Sequence, residues 1–400
     1  MSDELITLEH LRWLTEHGRE LLTAAGLPAS RQSNLPGELL ANLESWQQSL
    51  LQQQYELRWR SRHRFLQPEL WLWTERSLAQ ASDYWSAHYK ASLFPRDVPV
   101  IDACCGAGAD LVALASRGSV CGIDGHPGLA HLAADNARSH GYQVQVDTQT
   151  LTAAWQREVD WLSIDPDRRT AGRRTTDADE FSPTLADVLS LTRRARGAIV
   201  KLAPSTRMQA EQIAEIDQTC QRLWLGNQGE CRQQLLLSGE LRQGTSRQAV
   251  LCEPGCVTEF SGSSQQPARV TNAPLRYIFQ LHNVLHAADL QATWANQQPM
   301  DAVGDSHGYY TADQLVRSEW TQVFEVLEVL PWDDRQLRKW LRKRHIGTVE
   351  VKTRGLGEQA TSIDANACQR RYSAAEGEPV TLLVTRLGGR VRGIAARRLS

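Results

Sequence analysis

Five short apolar segments, separated by stretches of helical periodicity, constrain the fold of this chain more than any other feature. They cover residues 98–102, 120–124, 144–147, 161–165 and 198–202. Helical patterns over 109–117, 127–139, 184–196 and 207–220 separate most of them. Strands that alternate with helices form βαβ units, which build a mostly parallel sheet. Two later apolar segments joined through Gly226-Asn-Gln-Gly predict a closing hairpin, which gives an α/β fold with seven strands.

Charge and composition narrow the class of protein. The 44 basic and 46 acidic residues nearly balance, so any attraction for nucleic acid has to come from local clusters. The eight cysteines lack the paired short spacing of a zinc site, and we expect no metal. No apolar span is long enough to cross a bilayer, and the acidic start does not resemble a secretion signal. We expect a cytoplasmic protein that does not bind membranes.

Acidic residues end four of the five predicted strands, and a glycine-rich loop follows the first. The loop begins Asp102-Ala-Cys-Cys-Gly-Ala-Gly, in which Gly106 and Gly108 permit a tight turn and close approach of a ligand to the backbone. Asp124 ends the second strand, where a carboxylate can hold both hydroxyls of a ribose. Asp147 ends the third strand and is placed to meet an adenine amino group. The joint spacing indicates a nucleoside cofactor, whereas simple helix capping would not explain it.

The same residues favour S-adenosylmethionine over a nicotinamide dinucleotide. Leu111 stands where the dinucleotide motif has its third glycine. Asp102 would repel a pyrophosphate but suits the cationic aminoacyl end of S-adenosylmethionine. The predicted helix over 80–93 is expected to lie over the methionine portion, with Lys90 lining the site. We therefore interpret 76–260 as a Rossmann-like class I methyltransferase domain.

Asp165-Pro-Asp-Arg-Arg follows the fourth strand, beside the expected position of the transferred methyl group. Amino-group methyltransferases commonly place Asp/Asn-Pro-Pro-aromatic here, so Asp165 and Pro166 fit whereas Asp167 and Arg168 depart. A guanidinium plane can stack on a base or hold a phosphate, which makes Arg168 a candidate catalytic residue on a nucleic-acid substrate. Three more arginines in this loop are candidate RNA contacts, although a solvated surface loop would look the same: Arg169, Arg173 and Arg174.

A second catalytic arrangement has to be weighed beside the first. Lys90, Asp165, Lys201 and Glu230 occur in the order of the tetrad that ribose 2′-O-methyltransferases use. In such a tetrad, flanking charges lower the pKa of one lysine, which then takes the hydroxyl proton. Lys201 lies in an apolar strand, where the alternative is a strand-end lysine whose ammonium reaches solvent.

Several segments resemble bacterial class I methyltransferases with a C-terminal THUMP-like domain. In the catalytic part these are 80–93, Asp165-Pro-Asp-Arg-Arg, Lys201-Leu-Ala-Pro-Ser and Gly229-Glu. In the tail, 324–331, 337–341, 345–355 and 380–386 resemble the strand–helix–strand–strand pattern of the THUMP-like domain. The resemblance implies a THUMP-like domain over 320–400, preceded by a small ferredoxin-like piece at 268–318, and a role in RNA modification. Residues 1–75 form a helical N-terminal region by their periodicity.

A basic helix in the tail supports RNA as the partner. Six basic residues lie between 335 and 344 with no acid among them: Arg335, Arg338, Lys339, Arg342, Lys343 and Arg344. We select Arg338, Arg342 and Lys343 as RNA contacts; the alternative is a solvated helix face. The sequence thus predicts an enzyme that methylates structured RNA, tRNA or rRNA, with a base nitrogen favoured over a ribose hydroxyl. A non-catalytic protein that binds both S-adenosylmethionine and RNA, and a small-molecule methyltransferase, are the alternatives.

Overall fold

The structure is a computed structural model that describes residues 6–170, 173–244, 247–264, 267–304, 308–357 and 363–399. The chain divides into two compact units. The first comprises Met1–Leu225, Arg232–Gly244 and Cys252–Cys256, and the second comprises Gly226–Cys231, Thr245–Leu251 and Val257–Ser400. The chain therefore passes between the units several times before residue 260, the predicted end of the methyltransferase domain.

Seven strands of the first unit form a twisted, mostly parallel sheet. They are β1 (Val100–Ala103), β2 (Val120–Asp124), β3 (Gln145–Thr148), β4 (Trp161–Ile164), β7 (Gly197–Leu202), β8 (Cys220–Asn227) and β9 (Glu230–Gly239). They belong to a nine-stranded sheet in the order β11-β10-β8-β9-β7-β4-β1-β2-β3, in which β10 (Arg247–Glu253) and β11 (Cys256–Gly262) follow β8 at one edge. The strands from β7 to β3 are parallel, and β7 and β9 are antiparallel. The short strands β5 (Arg169–Thr170) and β6 (Arg173–Arg174) pair separately. The predicted Rossmann-like sheet and its closing hairpin are confirmed, but the sheet has nine strands and not the predicted seven, because β10 and β11 extend it beyond the hairpin.

Helices of the first unit follow the predicted alternation. They are α5 (Glu75–Gln80), α6 (Tyr84–Leu93), α7 (Ala109–Ala115), α8 (Pro127–Ser139), α9 (Leu185–Thr192) and α10 (Ala210–Thr219). The single helix predicted over 80–93 is divided, because Asp83 caps α6 by accepting from the Ser86 N–H at 3.0 Å. Ile101, Leu162 and Val200 from three neighbouring strands pack in the main core cluster.

The N-terminal region is helical as predicted, and it consists of several short helices and one long one. Helix α1 (Leu8–Trp13) runs through a π-helical turn, Leu14–Gly18, into α2 (Arg19–Ala25), and α3 (Gly37–Leu40) and α4 (Ser45–Ser61) follow. The residues after position 34 do not form one continuous helix, because Glu44 caps the start of α4 with a capping box. Leu11 and Leu14 share a core cluster with Leu132 of α8, so these helices belong to the core of the first unit.

The second unit is built on an eight-stranded sheet in the order β12-β14-β15-β13-β16-β19-β18-β17. Its strands are β12 (Val270–Thr271), β13 (Tyr277–Leu281), β14 (Asp301–Val303), β15 (Tyr309–Ala312), β16 (Thr321–Pro331), β17 (Ile346–Thr353), β18 (Glu378–Leu387) and β19 (Arg390–Arg398). Its helices are α11 (Asn283–Ala287), α12 (Gln291–Gln297), α13 (Asp334–Lys343) and α14 (Ala365–Tyr372).

The tail contains the predicted strand–helix–strand–strand pattern as β16, α13, β17 and β18. The sequence analysis missed α14 and β19, although Asp364 and Gly388-Gly389 mark the helix start and the hairpin. Strand β13 pairs antiparallel with β16, Ile278 opposite Phe324. Residues 268–318 therefore share one sheet with the THUMP-like segment and do not form a separate subdomain.

Candidate functional site

The glycine-rich loop between β1 and α7 borders a cavity of about 360 Å³ in the first unit. Gly108 has φ +90°, and a Cβ there would lie 3.1 Å from the Cα of Ala133, so the close approach of α8 requires glycine. Gly106, with φ +57°, donates its N–H to Asp124 Oδ2 at 2.8 Å. The cavity lies at the carboxyl ends of β1, β2 and β4, where α/β sheets bind ligands.

Most predicted cofactor and catalytic residues line this cavity. These are Asp102, Gly106, Asp124, Asp165, Pro166, Arg168 and Lys201. Residues that the sequence analysis did not select line it as well: Arg76, Gln80, Ser82, Asp110, His126, Gln149 and Thr150. The lining therefore combines several carboxylates with the cations of Lys201 and Arg168.

Two carboxylates of the cavity each keep one buried oxygen without a hydrogen-bond partner among the described residues, namely Asp102 Oδ2 and Asp110 Oδ1. The other oxygen of Asp102 accepts from Ser163 Oγ at 2.9 Å, and Asp110 Oδ2 accepts from Lys90 Nζ at 2.6 Å. Burial and the charge of Asp110 raise the pKa of Asp102 to about 8, against the opposing effects of Ser163 and Lys90. A cationic ligand would satisfy both oxygens, so these residues fit the α-ammonium group of S-adenosylmethionine.

Binding of that ammonium should release a proton. Below pH 8 the carboxyl of Asp102 is largely protonated in the free protein, whereas a bound cation favours the carboxylate. Calorimetric titration with S-adenosylmethionine at pH 6.5 is expected to show release of about one proton per site, read from the difference between buffers of high and low ionisation enthalpy. In Asp102→Asn the release should vanish. Equal heats in both buffers for the unaltered protein would remove Asp102 from the ammonium site.

Asp124 offers acceptors for a ribose. Its Oδ2 accepts from Gly106 and its Oδ1 accepts from the His126 N–H at 2.8 Å, so each oxygen retains a further lone pair. Burial raises the pKa of Asp124, and the two backbone N–H groups counteract this. The side chain is held on the cavity wall by these bonds, in the position that the sequence predicts for the ribose contact.

The predicted adenine contact, Asp147, does not line the cavity. Its carboxylate accepts from Gln145 at 2.7 Å and lies 3.4 Å from the guanidinium of Arg157. Gln149 and Thr150, which directly follow the end of β3, line the cavity instead. The role of Asp147 as the adenine contact therefore stays a prediction, and Gln149 and Thr150 are further candidates for it.

Asp165 and Lys201 form an ion pair at the cavity wall. Lys201 Nζ donates to Asp165 Oδ2 at 2.5 Å and to the Gln80 carbonyl oxygen at 3.4 Å. Lys201 is only 8% exposed, so its ammonium is not solvated at the strand end. The Asp165 N–H donates to the Ala103 carbonyl oxygen at 3.2 Å, which fixes the segment after β4 against β1.

The residue that departs from the amino-group motif is held by side chains of another helix. Asp167, at the position of the second proline, accepts from Arg76 and from Gln80 of α5. Its backbone N–H and carbonyl both pair with Ser182, at 2.9 Å each. The acid therefore ties the motif to a helix distant in sequence, and Arg76 and Gln80 could not be found from a local pattern.

The four residues of the ribose scheme are not brought together at the cavity. Asp165 and Lys201 line it, but Lys90 is buried behind Asp110 and does not. Burial lowers the pKa of Lys90, although Asp110 raises it in part. Glu230 is exposed on the β8–β9 turn, in the segment assigned to the second unit.

The predicted RNA contacts are described only in part. The side chains of Arg169 and Arg174 lie outside the described residues, whereas Arg173 is exposed. In α13, Arg338 pairs with Asp334 at 3.0 Å, which the sequence analysis overlooked because Asp334 precedes the basic run by one residue. Arg342 and Lys343 are exposed and have no ion pair within the described part of the chain. Trp340 and Leu341 pack in the core as predicted.

Two kinds of feature are absent from the described ranges. No three His, Cys, Asp or Glu side chains in them are grouped so that they could hold a metal ion. None of the described helices combines the length and apolar character of a membrane span.

Known proteins resemble the chain along most of its length. Residues 321–398 match the family model for THUMP domain-like sequences. An uncharacterized S-adenosylmethionine-dependent methyltransferase of Mycobacterium tuberculosis, from strains CDC 1551 / Oshkosh and H37Rv, is 26% identical over 320 residues, which are 80% of this chain and 85% of the relative. A crystal structure from Porphyromonas gingivalis W83, provisionally named a methyltransferase, superposes with a TM-score of 0.69 at 18% identity and covers 100% of both chains. The fold is therefore shared along the whole chain.

Proposed function

We propose that this chain, which is a class I S-adenosylmethionine-dependent methyltransferase with a C-terminal THUMP-like domain, methylates a base nitrogen of structured RNA. The observation that supports a nitrogen atom as the methyl acceptor is the hydrogen bonding of Asp165. One of its oxygens is held by Lys201, and the other has no hydrogen-bond partner among the described side chains. A half-buried carboxylate with one free oxygen can accept an N–H of an amine at the cavity.

The proposed chemistry uses residues of this chain to orient an amine. The cofactor, when bound, would supply a methyl group from its positively charged sulfur, which keeps the electron pair of the broken S–C bond and leaves as a neutral thioether. Asp165 accepts one N–H of the base, which leaves the nitrogen lone pair free to form the new N–C bond. Lys201 is a positioning residue, because its ion pair fixes the orientation of the carboxylate. Asp165 then receives the proton that the nitrogen gives up.

Two features support RNA as the substrate class. The THUMP-like segment matches a domain family that the resemblance associates with RNA modification. Arg168 lines the cavity beside Asp165, where a guanidinium plane can stack on a base or hold a phosphate. A ribose hydroxyl is supported less, because Lys201 is already paired with Asp165 and neither Lys90 nor Glu230 lines the cavity.

The test compares nucleosides from RNA of a strain that lacks the gene with those of its parent by mass spectrometry. We expect one N-methylated nucleoside to disappear, and purified protein to restore it on RNA from the deletion strain. Loss of a ribose-methylated nucleoside would contradict the choice of nitrogen. An unchanged nucleoside profile, together with turnover of a metabolite, would contradict RNA as the substrate.

The exposed cations of α13 should contribute to RNA affinity in a salt-dependent way. Replacing Arg342 and Lys343 by Gln removes two charges with no acidic partner among the described residues, so the slope of log K against log salt concentration is expected to fall by about 1.4–1.8. This slope is measured by fluorescence anisotropy with tRNA between 50 and 200 mM salt. The matched control replaces Arg193 and Arg194, which are exposed in the first unit. An unchanged slope would mean that the helix is a solvated face.

A further inference from the structure

A second cavity of the first unit, of about 240 Å³, is lined mainly by rings and is separate from the candidate cofactor cavity. The rings belong to Phe65, Trp71, Tyr84, His88, His140 and Tyr142. Leu66 and Gln67 also line it and are exposed, so it opens to the surface at these residues. Concave sites with aromatic walls and a few polar atoms are typical of sites for small planar ligands.

The ring walls are held in place by ring–ring contacts within the protein, two of them tilted and one stacked. Tyr84 lies on His88 with centroids 3.9 Å apart, and Trp71 lies 4.5 Å from His140. Trp71 is in turn stacked on Trp73, at 4.9 Å and 14° between the planes. Because the rings are fixed before a ligand arrives, a flat heterocycle could stack there with little loss of side-chain freedom.

Hydrogen bonds define which polar atoms remain for a ligand. His88 Nδ1 lies 2.9 Å from the Tyr84 carbonyl oxygen, and His140 Nδ1 lies 2.8 Å from that of Asn136. Because a carbonyl only accepts, each Nδ1 carries the hydrogen and each Nε2 of the neutral ring is an acceptor. Burial lowers the pKa of both imidazoles, which keeps them neutral. Trp71 Nε1 is a buried donor with no partner among the described residues.

We propose that this cavity binds an unpaired nucleobase of the RNA, a proposal that rests on the proposed function. A nucleobase presents a flat π face together with amino donors and ring acceptors, which match the stacked rings, the two imidazole acceptors and the indole donor.

The position of the cavity connects it with the cofactor cavity. Ala109 lines both cavities. Helix α6 supplies Tyr84 and His88 to the ring cavity, and it also carries Lys90, which pairs with Asp110 in the first turn of α7. A strand whose target base enters the first cavity could therefore place a nearby unpaired base in the second.

Binding of oligonucleotides tests the proposal on the full chain. Fluorescein-labelled r(A)8 is compared with the same octamer carrying one abasic position, by anisotropy with S-adenosylhomocysteine present. We expect Tyr84→Leu to weaken r(A)8 binding roughly fivefold to a hundredfold. His88→Phe, which keeps a ring but removes the acceptor, should weaken it roughly twofold to tenfold. Trp46→Leu is the control, because Trp46 stacks on His10 outside both cavities.

The outcomes separate this proposal from the proposed function. If Tyr84→Leu and His88→Phe both bind r(A)8 as the unaltered protein does, the ring cavity does not hold a base of the RNA. If free adenosine shows saturation transfer to the cavity but the octamers do not discriminate, the ligand is a free nucleoside and the RNA proposal is overturned. Failure of the proposed function appears elsewhere, in an unchanged profile of methylated nucleosides.

Discussion

Replacing Asp165 by Ala is expected to lower the rate of methyl transfer to RNA by roughly 10²–10⁴-fold, because the acceptor that orients the amine and receives its proton is lost. Affinity for S-adenosylmethionine should be almost unchanged, since the proposed cofactor contacts are Asp102, Asp110 and Asp124. Asp165→Asn keeps a carbonyl oxygen that can accept an N–H, so it should retain more activity than Asp165→Ala. Single-turnover transfer of a labelled methyl group measures the rate, and calorimetry measures the affinity.

Lys201 distinguishes the two chemistries that the sequence analysis left open. If a base nitrogen is methylated, Lys201→Met loses the residue that positions Asp165 but keeps a measurable fraction of the activity. If a ribose hydroxyl is methylated with Lys201 as the base, the same variant has no activity although RNA and cofactor still bind. Methylated ribose in the product of the unaltered protein, together with an inactive Lys201→Met, would overturn the proposed nitrogen chemistry.

Replacing Lys90 by Met should have the largest effect on stability. Lys90 is 5% exposed and donates to Asp110 at 2.6 Å and to Ser82 Oγ at 2.7 Å, so its loss leaves a largely buried carboxylate without its cation. Removing one partner of such a pair costs about 3–5 kcal/mol in the free energy of unfolding. Urea denaturation at pH 7, monitored by tryptophan fluorescence, measures this loss.

Two controls show whether the cost arises from the unpaired charge. Lys90→Met combined with Asp110→Asn should regain much of the lost stability, because the remaining side chain is neutral. Glu215→Gln, which breaks the exposed pair with Arg193, should cost at most about 1 kcal/mol. A Lys90→Met protein as stable as the unaltered one would show that Asp110 gains solvent or protonates at little cost.

The pH dependence of this stability has a definite sign. Burial raises the pKa of Asp110, but the charges of Lys90 and Lys201 lower it by more. The pKa of Asp110 therefore lies below its ordinary value of 3.8. A carboxylate with a depressed pKa in the folded state contributes stability above the ordinary value, and the contribution is lost as the pH falls through the depressed value. The difference in unfolding free energy between the unaltered protein and Asp110→Asn should therefore shrink below pH 4.

The periodicity of apolar residues was sufficient to predict the sheet, but it could not predict contacts between segments that are distant in sequence. Strands β1, β2 and β4 and the acids Asp102, Asp124 and Asp165 follow from apolar segments that end in a polar residue, because the carboxyl ends of parallel strands meet at one edge. The contacts of Asp167 with Arg76 and of Asp110 with Lys90 depend on where α5 and α6 pack. No local pattern encodes that packing.

The shared core of the N-terminal helices and α8 has a consequence for synthesis of the chain. Leu11 and Leu14 are buried against a cluster that includes Leu132, so an apolar face emerges from the ribosome well before its partner. At translation rates of about 5–20 residues per second, the interval is on the order of ten seconds. During that time the part of this face that contacts Leu132 is uncovered, and it offers a hydrophobic surface to chaperones or to neighbouring nascent chains.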